Sequence, residues 1–462
     1  MSETSNQKPN VPALRPLGLR ANLQYFIWQG FVGVYNLLVT LYIIGLLLTN
    51  RIWAIGRDPK RKAFRAPRPE RPLKVGIVSE YYYPHLGGLS GDVHFAAVEF
   101  SKMGYDVKLI TSNVAEPHNL HFSPLGFEII RVGRSIPIIA NGSLAKVAFG
   151  FNLGRQIKRM MEREQFDVIH IHCPLTPVLP LLIQRYADCP IIGHIHTLLR
   201  SKPLYYKIFD KQLARIMNDF EGLVSVSDVA AKPFENWFQC GPFEVIPNGV
   251  PVDEFADPNC PKIPAFDDGK INLFFIGRME PRNGISVLID AFRILHRQEP
   301  NTRLILAGAG PLKAFYEDSI EEELKAHVHF IGPILEEKPQ YFATADINVC
   351  PTTRVASLGV TLLESMASGK PTVCSDIAAF NETAEKGRDV LMADPDKPEE
   401  FAAQILKLIA EPTLGSMLAK RARLKMERSY SWASIIQRVD TYTRRVVPQL
   451  DRAKMPPLEG TV

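Results

Sequence analysis

Cysteine is sparse in this chain and nowhere paired. Six occur in 462 residues, at positions 173, 189, 240, 260, 350 and 374, without a single C-x-x-C spacing. That argues against a zinc ribbon and a disulfide framework, and it suits free thiols in a reducing compartment. A short-period repeat and a low-complexity tract are also lacking, which excludes solenoid and extended disordered architectures. No G-x-G-x-x-G follows the first strand-like run, and the next run, "DVKLITSN", does not end in an acid placed to hold a ribose. A nicotinamide enzyme is therefore disfavoured.

What is present is ordinary in bulk and uneven in detail. The apolar fraction is 46% and the charged fraction 22%, typical of a globular chain, and the length suggests about three structural units at roughly 150 residues each. The formal charge of +5 is concentrated: residues 51–74 hold nine Lys/Arg against Asp58 and Glu70, so the remaining chain is slightly acidic. This strip follows "FIWQGFVGVYNLLVTLYIIGLLL", residues 26–48, which contains no charge. A helix of that length spans about 35 Å, enough for a hydrocarbon layer of about 30 Å, and it is too long for the apolar region of a signal peptide. The reading is a transmembrane helix over 25–50 after a tail over 1–24, with 51–71 as a basic juxtamembrane linker. Three cations precede the apolar run and nine follow it, so the bulk of the chain is expected on the cytoplasmic face of the inner membrane, in a single-pass arrangement. The strip is expected to lie on anionic lipid rather than on nucleic acid.

From Pro72 onward, short apolar runs alternate with helical patterns. "LKVGIVSE", "DVKLITSN", "FDVIHIHCP", "CPIIGHIHT", "GLVSVSD" and "FEVIPNG" read as strands of one unit. After the Pro- and Asp-rich bridge "PVDEFADPNCPKIPAFDDGK", a second series runs through "INLFFIGR", "TRLILAGAG", "VHFIG", "INVCP" and "PTVCSD". The fold class is α/β: two doubly wound, Rossmann-like domains over 72–262 and 263–429, then a helix over 430–450 and a tail over 451–462. In such sheets ligands lie beyond the C-terminal ends of the strands, so two domains in tandem place the ligand between them.

Three stretches converge on that cleft. In "YYYPHLGGLSGD", Gly87 and Gly88 allow close backbone approach ahead of a helix N-terminus that favours phosphate. In "FFIGRMEPRNG", Arg278 leaves the end of a strand, where a planar guanidinium can grip a diphosphate; a surface salt bridge is the alternative. In "ASLGVTLLE", Gly359 opens a helix and Glu364 lies further along it. Two other features have weaker claims. His170 and His172 are read as pointing to opposite faces of one strand, unable to share an ion. "NLGRQIKRMMEREQ" sets Arg155, Lys158 and Arg159 beside Leu153, Ile157 and Met160, as either an interfacial helix or a solvated one.

Together with "HIHT", "VIPNGV" and "LILAGAGPL", these segments make residues 73–446 resemble the retaining glycosyltransferases of family 4, whose two-domain architecture is called GT-B. Within that family, "VGRSIPIIANGSLAKVAFG" and "FDVIHIHCPLTP" look most like the phosphatidyl-myo-inositol mannosyltransferases, and "VSEYYYPHLGG" is similar to the eukaryotic phosphatidylinositol glycosyltransferases. The resemblance implies a hexose moved from a nucleotide sugar, GDP-mannose foremost, to a lipid acceptor such as phosphatidylinositol, with no cofactor and no obligatory metal. It implies catalytic roles for His196, Arg278 and Glu364. It places the donor against Gly87, Gly88, Arg278, Arg282, Asn283, Ile334, Gly359, Val360, Thr361 and Glu364, and the acceptor against Ser90, Asp92, Asn141 and Thr197. Four positions depart from the pattern. Asn283 replaces a lysine, Ala356 replaces the first of two glutamates eight apart, and Ser90 and Asp92 stand where the inositol enzymes have Gln and His. The departures leave a second expectation open, a non-catalytic nucleotide-sugar or lipid-binding relative; a transferase acting on a polysaccharide precursor is a third.

Overall fold

The computed structural model describes residues 71–452 apart from 84–86, 115–125, 141–142, 151, 256, 258 and 354–355, together with the isolated residues 34, 38, 41, 44, 45 and 64. In chain order the first half contains β1 (Lys74–Val78), α1 (Gly88–Lys102), β2 (Asp106–Ser112), β3 (Glu128–Val132), β4 (Arg134–Ala140), β5 (Ser143–Phe149), α2 (Leu153–Glu164), β6 (Val168–His172), β7 (Ile191–Ile195), β8 (Gly222–Ser225), α3 (Asp228–Phe238) and β9 (Glu244–Val245). Seven of these strands form a sheet of order β3-β2-β1-β6-β7-β8-β9, in which neighbouring strands pair in parallel. The second half contains β10 (Ile271–Ile276), α4 (Ile285–Gln298), β11 (Thr302–Ala307), β12 (Val328–Gly332), β13 (Ile347–Cys350), α5 (Val360–Ala367), β14 (Thr372–Ser375) and β15 (Leu391–Ala393). Its sheet runs β12-β11-β10-β13-β14-β15, again parallel. In both sheets the strand order reverses beside the first strand, between β1 and β6 and between β10 and β13. Crevices form at such switch points.

The central strands are continuous apolar runs because helices cover both faces of each sheet. All five residues of β6 and of β7 are buried. The sequence pattern does not reveal β3, the antiparallel β4–β5 hairpin or the three-residue β15, whose runs are short or broken by Arg, Pro and Lys. A last helix, α6 (Trp432–Val446), returns to the first half. Its Tyr442 hydroxyl receives the Leu223 N–H at 2.9 Å, and Asp440 accepts the Tyr105 hydroxyl at 2.7 Å.

No helix among the described residues is long and apolar enough to cross a membrane. The run 26–48, expected to do so, lies outside the described residues except for Val34, Leu38, Leu41, Ile44 and Gly45, which are helical. Of these, Val34, Leu38 and Leu41 are exposed. The interfacial reading of α2 is corrected. Leu153, Ile157 and Met160 are buried in the core of the first half, leaving only the charged face for solvent.

Glu80, just past β1, is buried at 3% exposure. Its Oε1 accepts the Leu179 N–H at 3.1 Å, at the start of the helix Leu179–Tyr186. Burial pushes its carboxyl from 4.5 up to about 8. The folded chain therefore holds a proton that the unfolded chain has released between those values, and stability falls as pH rises through that window. Glu80→Gln is expected to flatten thermal stability measured from pH 5 to 8 and to exceed the parent at the alkaline end. Parallel curves for the two proteins would refute this.

Candidate functional site

The two sheets face each other across a cleft of about 1080 Å³. On the side of the second half, β10 ends at Ile276 and the chain turns through Gly277, Arg278, Met279 and Glu280. Glu280 is almost fully buried, and its carboxylate holds Arg278 Nη2 at 2.8 Å and Arg282 Nε at 3.0 Å. The Asn283 amide donates to the Arg278 carbonyl at 2.7 Å. Two guanidinium groups are thus aimed from one buried acid, and Asn283 fixes the backbone between them instead of replacing the missing lysine's charge. Glu280 carries no signal of its own in the sequence, because its role depends on both arginines folding back to it.

Gly359 begins α5 with φ 91°. A Cβ at this position would lie 2.3 Å from the Phe380 ring, so only glycine lets this turn pass. The N–H groups of a helix's first turn lack intrahelical partners; those of Val360 and Thr361 belong to residues lining the cleft. One turn on, the buried Glu364 pairs with Lys338 Nζ at 2.7 Å, a partner absent from the sequence reading. Ala356 also lines the cleft and packs against the apolar core. Lys338 is partly exposed, but removing it leaves the buried Glu364 carboxylate without its cation, which destabilises the fold. Lys338→Met is accordingly expected to lower the thermal midpoint and to raise the KM for the donor about tenfold or more, with kcat little altered. An unchanged KM would detach Glu364 from the donor.

On the opposite wall, α1 presents Gly88, Gly91, Asp92 and Phe95 to the cleft, positions that share one helical face. Ser90 does not reach it. It lies on another side of α1 and is fully buried, which corrects its reading as an acceptor contact. A Cβ on Gly88 would sit 3.5 Å from Val360 Cγ2, so the two halves touch here. They are also tied where Glu382 accepts the Asp228 and Val229 N–H groups at 2.8 and 2.9 Å, and where the Ser227 hydroxyl donates to the Ser357 carbonyl. Asn141 lies outside the described residues. Apart from Ser90 and Asn141, the site residues expected from the sequence line the cleft.

Behind His196 the structure corrects a second expectation. His170 and His172 are two apart on β6 and so share a face of the sheet. Both meet imidazoles from the β7 side: His170 Nδ1 lies 2.9 Å from His194 Nε2, and His172 Nδ1 lies 2.9 Å from His196 Nε2. Asp92 Oδ2 stands 3.4 Å from the Nδ1 atoms of both His172 and His196. Burial lowers His196 to about 4, with Asp92 opposing and His172 reinforcing the shift. It lowers His172 to about 3 and raises Asp92 to about 6. The imidazoles are therefore neutral at neutral pH. His194 went unremarked in the sequence because its pairing with His172 depends on the β6–β7 register.

Residues 86–254 match the family described as Glycosyltransferase Family 4, and residues 270–411 match Glycosyl transferases group 1. The two matches together span more than half of the chain. The phosphatidyl-myo-inositol mannosyltransferase of Mycolicibacterium smegmatis is 29% identical over 368 residues, 79% of this chain and 91% of that one. The alpha-monoglucosyldiacylglycerol synthase of Streptococcus pneumoniae is 24% identical over 65% of this chain and 70% of its own. Among solved structures, the sucrose-phosphate synthase of Thermosynechococcus elongatus superposes with a TM-score of 0.66 at 19% identity, over 81% of this chain and 99% of that chain.

Proposed function

Because the chain belongs to the family 4 glycosyltransferases and is a hexosyltransferase of GT-B-like fold, we propose that it transfers a hexose with retention from a nucleotide sugar, GDP-mannose foremost, to a membrane lipid acceptor such as phosphatidylinositol or a related glycolipid. The observation that carries this reading is the pairing of Arg278, clamped by the buried Glu280, with the α5 N-terminus at Gly359 on the rim of one cleft. A guanidinium fork and a helix N-terminus together favour a diphosphate. As the bond from the anomeric carbon to the diphosphate breaks, negative charge builds on the leaving oxygen, where these donors are placed to stabilise it. The acceptor oxygen bonds to the anomeric carbon, and its proton passes to the departing diphosphate, so no protein nucleophile is required. His196, neutral and engaged at Nε2 by His172, acts by packing and orientation. The acceptor class draws support from the two lipid-directed relatives, and attachment to the inner membrane, with the cleft in the cytoplasm, draws support from the run 26–48 and the basic strip after it.

A second reading, a non-catalytic binder of nucleotide sugar, is favoured by one pair of observations: Asn283 donates to the Arg278 backbone, and Ala356 brings no carboxylate to the cleft. The experiment is an assay of the full chain in phosphatidylinositol vesicles with radiolabelled GDP-mannose and, separately, UDP-glucose. Label extracted into organic solvent supports glycolipid transfer. Label in a water-soluble product replaces the acceptor class with a polysaccharide precursor. Nucleotide binding by calorimetry without transfer or hydrolysis of either donor overturns the catalytic reading.

A further inference from the structure

The imidazole cluster behind the cleft is more than transfer requires. It lines a separate small cavity of about 30 Å³, walled by Asp92, His170, His172, His194, His196 and Trp432. A space of that size admits a water or an ion. Three buried atoms of these residues, His170 Nε2, His196 Nδ1 and Trp432 Nε1, form no well-directed hydrogen bond. The rest of the lining is largely apolar, from Phe100, Val224, Ile246 and Ile435 among others; buried polar atoms are ordinarily satisfied, so several of them gathered on one side of the cavity mark a place built for an occupant.

We propose that His172, His194 and His196, closed by Asp92, bind one divalent transition-metal ion of the zinc class. One ligand atom from each of the three histidines falls within 4.8 Å of the other two. Tetrahedral zinc, with metal–nitrogen distances of about 2.0–2.1 Å, sets neighbouring donor atoms roughly 3.3–3.4 Å apart. Asp92 Oδ2 stands at 3.4 Å from His172 Nδ1 and from His196 Nδ1. That separation is long for a charged hydrogen bond and sets the carboxylate beside two of the three imidazoles. His196 Nδ1 forms no well-directed hydrogen bond, whereas His172 releases its Nδ1 contact with His196 Nε2 and turns from its stacking on His194 to face the ion. Three imidazoles and one carboxylate are a borderline donor set that selects zinc, cobalt or nickel over magnesium or calcium. Asp92 is also one of the positions at which the chain departs from the enzymes it resembles, and those are expected to work without metal. Asp92 and His196 line both the small cavity and the cleft, so the ion anchors the acceptor wall from behind. The site rests on this cluster alone and is independent of which donor or acceptor the cleft takes.

The test uses the full chain in detergent, stripped with a chelator and titrated with Co²⁺. One equivalent is expected to bind, with the visible absorption of a four-coordinate centre, and to be displaced by Zn²⁺ but not by Mg²⁺. His194→Gln and Asp92→Asn should each weaken binding by about 100-fold or more, while Cys173→Ser, beside the cluster, leaves it unchanged. Zn²⁺ should raise the thermal midpoint of the parent protein only, a readout that stands even where a variant folds poorly. Absence of a stoichiometric Co²⁺ complex in the parent overturns the site, as does an identical spectrum and affinity in the Gln and Asn variants. Loss of transfer with every donor would leave these binding results untouched, so the two readings fail separately.

Discussion

Arg278→Ala is expected to reduce kcat for sugar transfer by about 10²–10³-fold, with a smaller change in the KM for the donor. The charge on the diphosphate grows as its bond to the sugar breaks, so a donor aimed at it contributes more in the transition state than in the ground state, about 2.7–4 kcal/mol for one preorganised group. The preorganisation is visible: Glu280 holds the guanidinium at 2.8 Å and Asn283 holds the same residue's carbonyl at 2.7 Å. Removing the side chain leaves the acid paired with Arg282 at 3.0 Å, so the fold is retained while the fork is lost. Arg278→Lys keeps the charge without the planar fork and should recover only part of the rate. The check is steady-state kinetics for the parent and both variants, with circular dichroism to compare folds. A kcat unchanged in Arg278→Ala would remove this residue from the chemistry, and a loss confined to KM would reduce it to a binding group.

Much of the architecture is legible in the residues because apolar runs between turn residues are a local signal. β1, β2, β6, β7 and β10 to β14 all fall inside runs such as "LKVGIVSE" and "INLFFIGR". The glycines and Arg278 are legible for the same reason, since each sits at a strand end or a helix start. Residues whose roles depend on partners far away in the chain are not. Glu280 carries no signal until Arg278 and Arg282 fold back to it, and Lys338 is unremarkable until Glu364 arrives 26 positions later. The histidines show the limit most directly. Their alternation along β6 is visible, but the parallel register that sets His172 against His194 is a property of two strands together. For α2, the same basic and apolar pattern suits a lipid surface or a protein core, and only the packing of Ile157 and Met160 into the first half decides between them.

Gly359→Ala is expected to be strongly damaging for a single added methyl. The residue has φ 91°, and leaving glycine in that region costs about 1–3 kcal/mol for an L side chain. The added Cβ would also stand 2.3 Å from Phe380 Cε1. Phe380 is itself fully buried and has little room to retreat, and overpacking of this kind costs about another 1–3 kcal/mol. The strain is relieved most readily by moving the first turn of α5, which carries the Val360 and Thr361 N–H groups out of line with the diphosphate. A misplacement of about 1 Å lowers rates by roughly 10²-fold, so transfer should fall by that factor even where the variant folds. The two contributions separate in the double variant Gly359→Ala/Phe380→Leu, which frees space but not the backbone angle. Thermal stability should recover in part while transfer and nucleotide binding by calorimetry stay low. Full recovery of both would show that crowding alone had displaced α5. An unaffected single variant would mean that this turn does not hold the donor, and the site would then have to be built around Arg278 and Glu364 without it.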